Sequence, residues 1–262
     1  MKNRQLDHES AAQMIEKAMD AVQETTVGMH VIDCPIRGIR EPTRPKKLSI
    51  VSFWNCGLEQ FDWNIQQWGK LQFLLLSGTF DGVPETLRQV PESLRSITIQ
   101  GGSFRALPQW VVDSWKNLRV LWVIEAQLLE FPAQLEQLPN IEVVGLQFNN
   151  ISKIPEWLTL KRLDMTGNRV DSIPEALKNA TVLSMGSNRI PLEGLPWSVP
   201  EILERNIRLR GNPACEDPRI ANTPVCTDGC SDSCSSIYLQ RPHCYSCCNT
   251  TECNFHNRHC VP

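Results

Sequence analysis

A chain of 262 residues with 41% apolar side chains holds enough material for a substantial core, as one elongated domain or two compact ones. Its net charge of −3 provides no basic excess to neutralise phosphates or to bind an anionic membrane, which argues against a nucleic-acid partner. No apolar run reaches the roughly 18 to 20 residues that a membrane span requires.

The first 25 residues predict a polar amphipathic helix, with Leu6, Ala11, Met14, Ile15, Ala18 and Met19 on one side. They contain no apolar core of the secretory-signal type, so Met1 fits either a true start or a piece of a longer precursor. A proline-broken stretch follows, carrying Arg37, Arg40, Arg44, Lys46 and Lys47. Its composition predicts a solvated loop rather than a localisation signal.

From residue 26 to 213 one pattern recurs nine times: apolar residues at positions 1, 4 and 6, a small or amide residue at 9, and an apolar residue at 11. The clearest copies run from Leu160 through Leu163, Met165 and Asn168 to Val170, and from Ala180 through Leu183, Met185 and Asn188 to Ile190. Position 9 is Cys34, Cys56, Thr79, Gly102, Ala126, Asn149, Asn168, Asn188 and Asn212 in turn, at gaps of 22, 23, 23, 24, 23, 19, 20 and 24 residues. Positions 4 and 6 alternate with neighbours in the manner of a short strand buried on one face. A position-9 amide can bond backbone groups of the turn that follows. An apolar-Pro step comes after most strands, at Pro84, Pro108, Pro132, Pro155, Pro174 and Pro196. Proline there fixes φ and opens a short helical turn, which sends Leu87, Val111, Leu135, Leu158 and Leu177 back toward the core.

This pattern resembles the leucine-rich-repeat family over about 190 of the 262 residues. The resemblance implies an α/β repeat solenoid, a horseshoe with a parallel sheet on its concave side and short helices or loops on its convex side. Residues 1–25 would then cap the first repeat, since an uncovered end exposes a slice of core.

Nine of the eleven cysteines follow Asn212: Cys215, Cys226, Cys230, Cys234, Cys244, Cys247, Cys248, Cys253 and Cys260. The run Leu209-Arg-Gly-Asn212-Pro213-Ala-Cys215 resembles the close of extracellular leucine-rich repeats, though the cysteines beyond it exceed the familiar cap of four. So little apolar material lies in 214–262 that covalent or metal staples must hold it. Two readings are open. Eight of these cysteines form four disulfides in an oxidising compartment and leave one thiol. In the other, Cys244 and Cys247 bind structural zinc in a reduced setting with His243, Cys253, His256, His259 or Cys260. The single C-x-x-C favours disulfides. Cys34 and Cys56 read as small buried substitutes for the ladder asparagine. The sequons at Asn150, Asn179 and Asn249 are permissive of glycosylation and no more.

In the implied fold, positions 3, 5, 7 and 8 face the concave side. There the sequence places Trp54, Phe73, Leu75, Trp122, Ile124 and Phe148, an apolar set of the kind that forms partner-binding surfaces, with Arg208 and Arg210 as a basic rim. The competing reading has these side chains packed along the sheet, or covered by the tail or the N-terminal segment. No nucleotide-binding or hydrolase signature is present, and His30 and Cys34 should point to different sides of the first turn. These observations predict a recognition module, not an enzyme, with no cofactor and a protein or peptide ligand. It would be extracellular or at the cell surface; the alternative is an intracellular adaptor with a zinc-bearing tail.

Overall fold

The structure is a computed structural model that describes residues 13, 14, 17, 27–34, 36–41 and 47–229. Nearly all of the expected helical cap over 1–25, and every cysteine from Cys230 to Cys260, lie outside the described residues.

Among the described residues nine short strands follow one another: β1 (Gly28–Ile32), β2 (Ile50–Leu58), β3 (Phe73–Gly78), β4 (Ser96–Gln100), β5 (Val120–Ile124), β6 (Val143–Gly145), β7 (Arg162–Asp164), β8 (Val182–Ser184) and β9 (Ile207–Arg208). Sheet order equals chain order. Every strand but the last begins at position 3 of its repeat. The described chain divides into two compact units. The first reaches Leu128 and takes in Pro132–Val143; the second takes in Leu129–Phe131 and runs on from Val144.

In the first unit β1 to β5 pair in parallel, with Gly28 opposite Ile50, Ile50 opposite Phe73, Phe73 opposite Ser96 and Ser96 opposite Val120. These offsets reproduce the repeat gaps, so each turn of chain stacks one strand directly on the last. The core between strands and turns is aromatic: Phe53, Trp63, Trp68 and Trp115 are essentially solvent-free. Trp63 meets Phe53, Phe61 and Trp68 with ring centroids 5.4, 5.0 and 5.3 Å away. The indole N–H groups of Trp63, Trp68 and Trp115 each find an acceptor, which offsets the cost of burying them. Trp63 donates to the Ile39 carbonyl at 2.8 Å, Trp68 to Glu41 Oε1 at 3.1 Å and Trp115 to the Leu87 carbonyl at 2.9 Å.

In the second unit the asparagine ladder expected from position 9 is present and regular. Asn168 Nδ2 donates to the carbonyls of Met165 in its own rung (2.9 Å) and Leu146 in the rung before (2.7 Å). Asn188 repeats this with Met185 and Met165, both at 2.9 Å, and Asn212 with Leu209 and Met185 at 2.8 and 2.7 Å. The amide oxygens accept from the backbone N–H of Ile151, Val170 and Ile190. One buried amide thus satisfies backbone groups of two successive turns, which a smaller side chain cannot do.

The proline steps behave as expected. Short 3-10 turns follow Pro84, Pro132 and Pro174, and Leu87, Val111, Leu135, Leu158 and Leu177 are all buried. The ladder reading fails at the third repeat, where Thr79 is exposed. The pairing of β2 with β3 shifts between Phe53 and Leu58, so that Leu58 lies opposite Gly78. A Cβ at Gly78 would strike the Leu58 backbone, which leaves no room there for any other residue. The slip turns Thr79 outward, and Phe80 is buried instead.

After Asn212, a 3-10 turn at Pro213–Glu216 and a helical turn at Pro224–Thr227 are joined by the Cys215–Cys226 disulfide. This pair belongs to the cysteine set expected to be bridged.

A candidate protein-binding face

The side chains of β1 to β5 alternate between the core and the opposite face of the sheet. On that outer face the parallel register aligns three rows. His30, Ser52, Leu75, Thr98 and Trp122 form the middle row. Gly28, Ile50, Phe73, Ser96 and Val120 form the row on the N-terminal side. Toward the strand C-termini Ile32 lies opposite Trp54, and Ser77, Gln100 and Ile124 continue along the later strands.

Exposure sorts these residues. Phe73 and Ile32 each keep 46% of their surface, while Leu75, Trp122 and Ile124 are half-buried. Trp54, which the repeat numbering places outward, is only 7% exposed, so almost none of it meets solvent. Strands stand about 4.8 Å apart and alternate residues about 7 Å apart along a strand, so Phe73, Leu75 and Trp122 fall within a patch on the order of 10 Å across. Polar groups border it. Asp33 and Asn55, both at positive φ, are joined by an Asn55 Nδ2 to Asp33 Oδ1 bond of 2.8 Å. Gln100 Nε2 donates to Glu125 Oε2 at 3.4 Å. Past the strand C-termini the border of this unit is therefore amide and acidic.

The second unit presents a different face. Gln147, Asp164, Thr166 and Ser184 occupy outward positions in the repeat numbering, yet none is more than 3% exposed. Asp164 Oδ1 accepts the Thr166 N–H at 3.1 Å. Phe148 is half-buried in a left-handed conformation (φ 56°). Its ring lies against Gly167, where any Cβ would clash with it. Arg208 and Arg210, the expected basic rim, hold the chain that follows the cap. Arg208 Nε donates to Asp228 Oδ2 at 2.5 Å and Arg210 Nη1 to the Gly229 carbonyl at 2.6 Å. The Arg208–Asp228 pair has side chains 18% and 20% exposed, so it is well shielded for an ion pair. No local pattern signals this pair, because Asp228 lies 20 residues beyond Arg208 in a segment without periodicity.

His30 is exposed whereas Cys34 is buried, so the two face opposite ways and form no nucleophile-base pair. Among the described residues no cluster of three or more His, Cys, Asp or Glu is arranged to hold a metal ion. The histidines and cysteines of the zinc reading lie outside those residues. No described helix is long and apolar enough to cross a membrane.

No family model matches the chain. Among curated proteins it is similar to lumican of Mus musculus, 26% identical over 139 residues, and to lumican of Rattus norvegicus, 24% identical over the same length. Each match covers 49% of this chain and 40% of the relative, so the chain spans less than half the length of the curated relatives it matches. Among solved structures it resembles a leucine-rich-repeat protein of Leptospira interrogans at TM-score 0.61 and 22% identity, covering 78% of this chain and 54% of that one. It also resembles the leucine-rich-repeat domain of the type III effector XopL at TM-score 0.55 and 17% identity, with 80% and 76% of the two chains covered. An internalin from Listeria monocytogenes superposes at TM-score 0.52 and 14% identity, covering 77% and 68%. These likenesses agree with the strand order and repeat offsets: the fold is that of the leucine-rich repeat.

Proposed function

We propose, on the premise that this chain has the leucine-rich-repeat fold, that it is a recognition module rather than an enzyme, and that the outer sheet face of its first unit captures a protein or peptide. The observation that carries this is the exposed Phe73 ring beside half-buried Leu75, Trp122 and Ile124, with Ile32 exposed on β1. Aromatic and aliphatic side chains held by a rigid sheet bury area on a partner at little entropic cost, which is how binding hot spots arise. Trp54 would serve as the floor of this surface. Phe148, Arg208 and Arg210 belong to the second unit and are secondary candidates, the arginines because they are already engaged with Asp228 and Gly229.

The proposed setting is extracellular or at the cell surface. The Cys215–Cys226 bridge at the close of the repeats supports it, since structural disulfides persist in oxidising compartments.

The test is affinity capture from a cell-surface protein extract, comparing wild type with Trp122→Ser, Phe73→Ser and Arg88→Ser, the last an exposed control away from the face. The reading expects proteins captured by wild type and the control to be lost with the two face variants, at an unchanged far-ultraviolet spectrum. Equal capture by all four proteins would remove the face from consideration.

A further inference from the structure

Cys34 and Cys56 occupy the ladder position of the first two repeats, 22 residues apart, the same offset by which Ile32 pairs with Trp54. The backbone stays in register past the strand ends: Asp33 N–H donates to the Trp54 carbonyl at 3.0 Å and Gly57 N–H to the Cys34 carbonyl at 3.3 Å. Adjacent strands lie about 4.8 Å apart, within the roughly 4.4 to 6.8 Å Cα separation that a disulfide spans. Both side chains point inward, at 7% and 4% exposure. Their sulfurs are 2.6 Å apart, nearer than two unbonded sulfurs rest at van der Waals contact.

We infer that Cys34 and Cys56 form a disulfide that locks the first rung of the solenoid to the second. A metal shared by two thiolates fits less well: it would stand about 2.3 Å from each sulfur and hold them much farther apart than they are. The hydrogen bond between the thiols raises Cys34, with burial adding to the effect, and lowers Cys56, so Cys56 is the readier of the two to deprotonate and acts as the first nucleophile.

The oxidant is a disulfide of a low-molecular-weight thiol, written RSSR. Cys56 gives up its proton to solvent and its Sγ attacks one sulfur of RSSR, forming a Cys56–SR mixed disulfide and releasing RS⁻, which takes up a proton to become RSH. Cys34 then gives up its proton, attacks Cys56 Sγ and displaces the second RS⁻. Two electrons and two protons leave the pair, and RSSR becomes two RSH. Because both sulfurs are almost sealed, the exchange belongs to folding or to opening of β1, the terminal strand of the described sheet. Once formed, the bridge fixes β1 against β2.

The experiment refolds the full chain with oxidised and reduced glutathione, blocks free thiols in denaturant, and maps disulfide-linked peptides by mass spectrometry. The Cys215–Cys226 link serves as the internal control for oxidising conditions. The inference expects one species joining the Cys34 and Cys56 peptides, and amide exchange in β1 at least tenfold slower than in the Cys34→Ser, Cys56→Ser double variant. Blocked thiols at both positions in a sample where Cys215 and Cys226 are joined would overturn it, and so would either cysteine linked to the tail. Neither outcome bears on partner capture, so this inference and the proposed function stand or fall separately.

Discussion

Removing one ladder amide tests the account of the second unit most directly. Asn188 bonds backbone groups on both of its amide atoms: Nδ2 donates to Met185 and Met165, both at 2.9 Å, and Oδ1 accepts from Val170 N–H at 2.9 Å. In Asn188→Ala the two carbonyls keep a second donor, since Met165 also accepts from Asn168 and Met185 from Asn212. The N–H of fully buried Val170 keeps none of its side-chain acceptor. Stranding that donor costs about 1 to 3 kcal/mol, and each of the two lost carbonyl bonds adds about 0.5 to 1.5 kcal/mol, for a total of about 4 kcal/mol. In a chain of this size that lowers Tm by about 8 to 16 °C. Urea unfolding followed by circular dichroism gives the free energy, with exposed Arg189→Ala as a control expected within about 0.5 kcal/mol of wild type. Asn188→Asp should be worse than alanine above the carboxyl pKa, because it retains the acceptor for Val170 but turns an oxygen toward two carbonyls. A loss under about 1 kcal/mol for Asn188→Ala, at unchanged denaturant slope, would show that the amide bonds are not what holds successive rungs together.

Four further outcomes follow from the same structure. Once a partner is in hand, Trp122→Ser should weaken it about 30-fold or more by surface plasmon resonance, corresponding to a hot-spot loss of about 2 kcal/mol. Trp63→Ala should destabilise the first unit by about 3 to 5 kcal/mol in urea, as it deletes the centre of the aromatic cluster and leaves the Ile39 carbonyl without the indole donor. Opening the Cys215–Cys226 loop with the paired serine variants should cost about 2 to 4 kcal/mol in the same assay. Two hydrogen bonds from the Arg219 side chain and one from its backbone hold the Asp217 carboxyl down at about 2. The stabilisation from this group is full above the unfolded value of about 3.9 and is lost as pH falls through the folded value, so a carboxyl NMR titration should place Asp217 below the ordinary aspartate range. Arg219→Ala should bring it most of the way back.

Legibility followed the range of the interactions. The apolar 1-4-6 pattern and the proline steps are local signals, and they located the strands, the inward leucines and the helical turns because each depends only on residues within one repeat. The asparagines were legible for the same reason: the amide at position 9 bonds its own turn and the one before, and the repeat period fixes where that turn is. Thr79 was misplaced because a slip between β2 and β3 depends on how Leu58 meets Gly78 across two turns, which no single-repeat pattern encodes. Ile32 stood at an outward position in the alignment but was not picked for the binding set, and its 46% exposure now makes it a leading member.

By itself, then, the sequence determined the repeat, the parallel strands in chain order and the side of each strand that faces the core, because strand alternation and repeat period are properties of the chain alone. Only the tertiary structure decided which outward residues meet solvent. It withdrew Trp54, closed Gln147, Asp164, Thr166 and Ser184, engaged Arg208 with Asp228, and set the sulfur of Cys34 against that of Cys56. Exposure and pairing depend on what stacks against a residue from another turn, and that contact exists only once the chain has coiled.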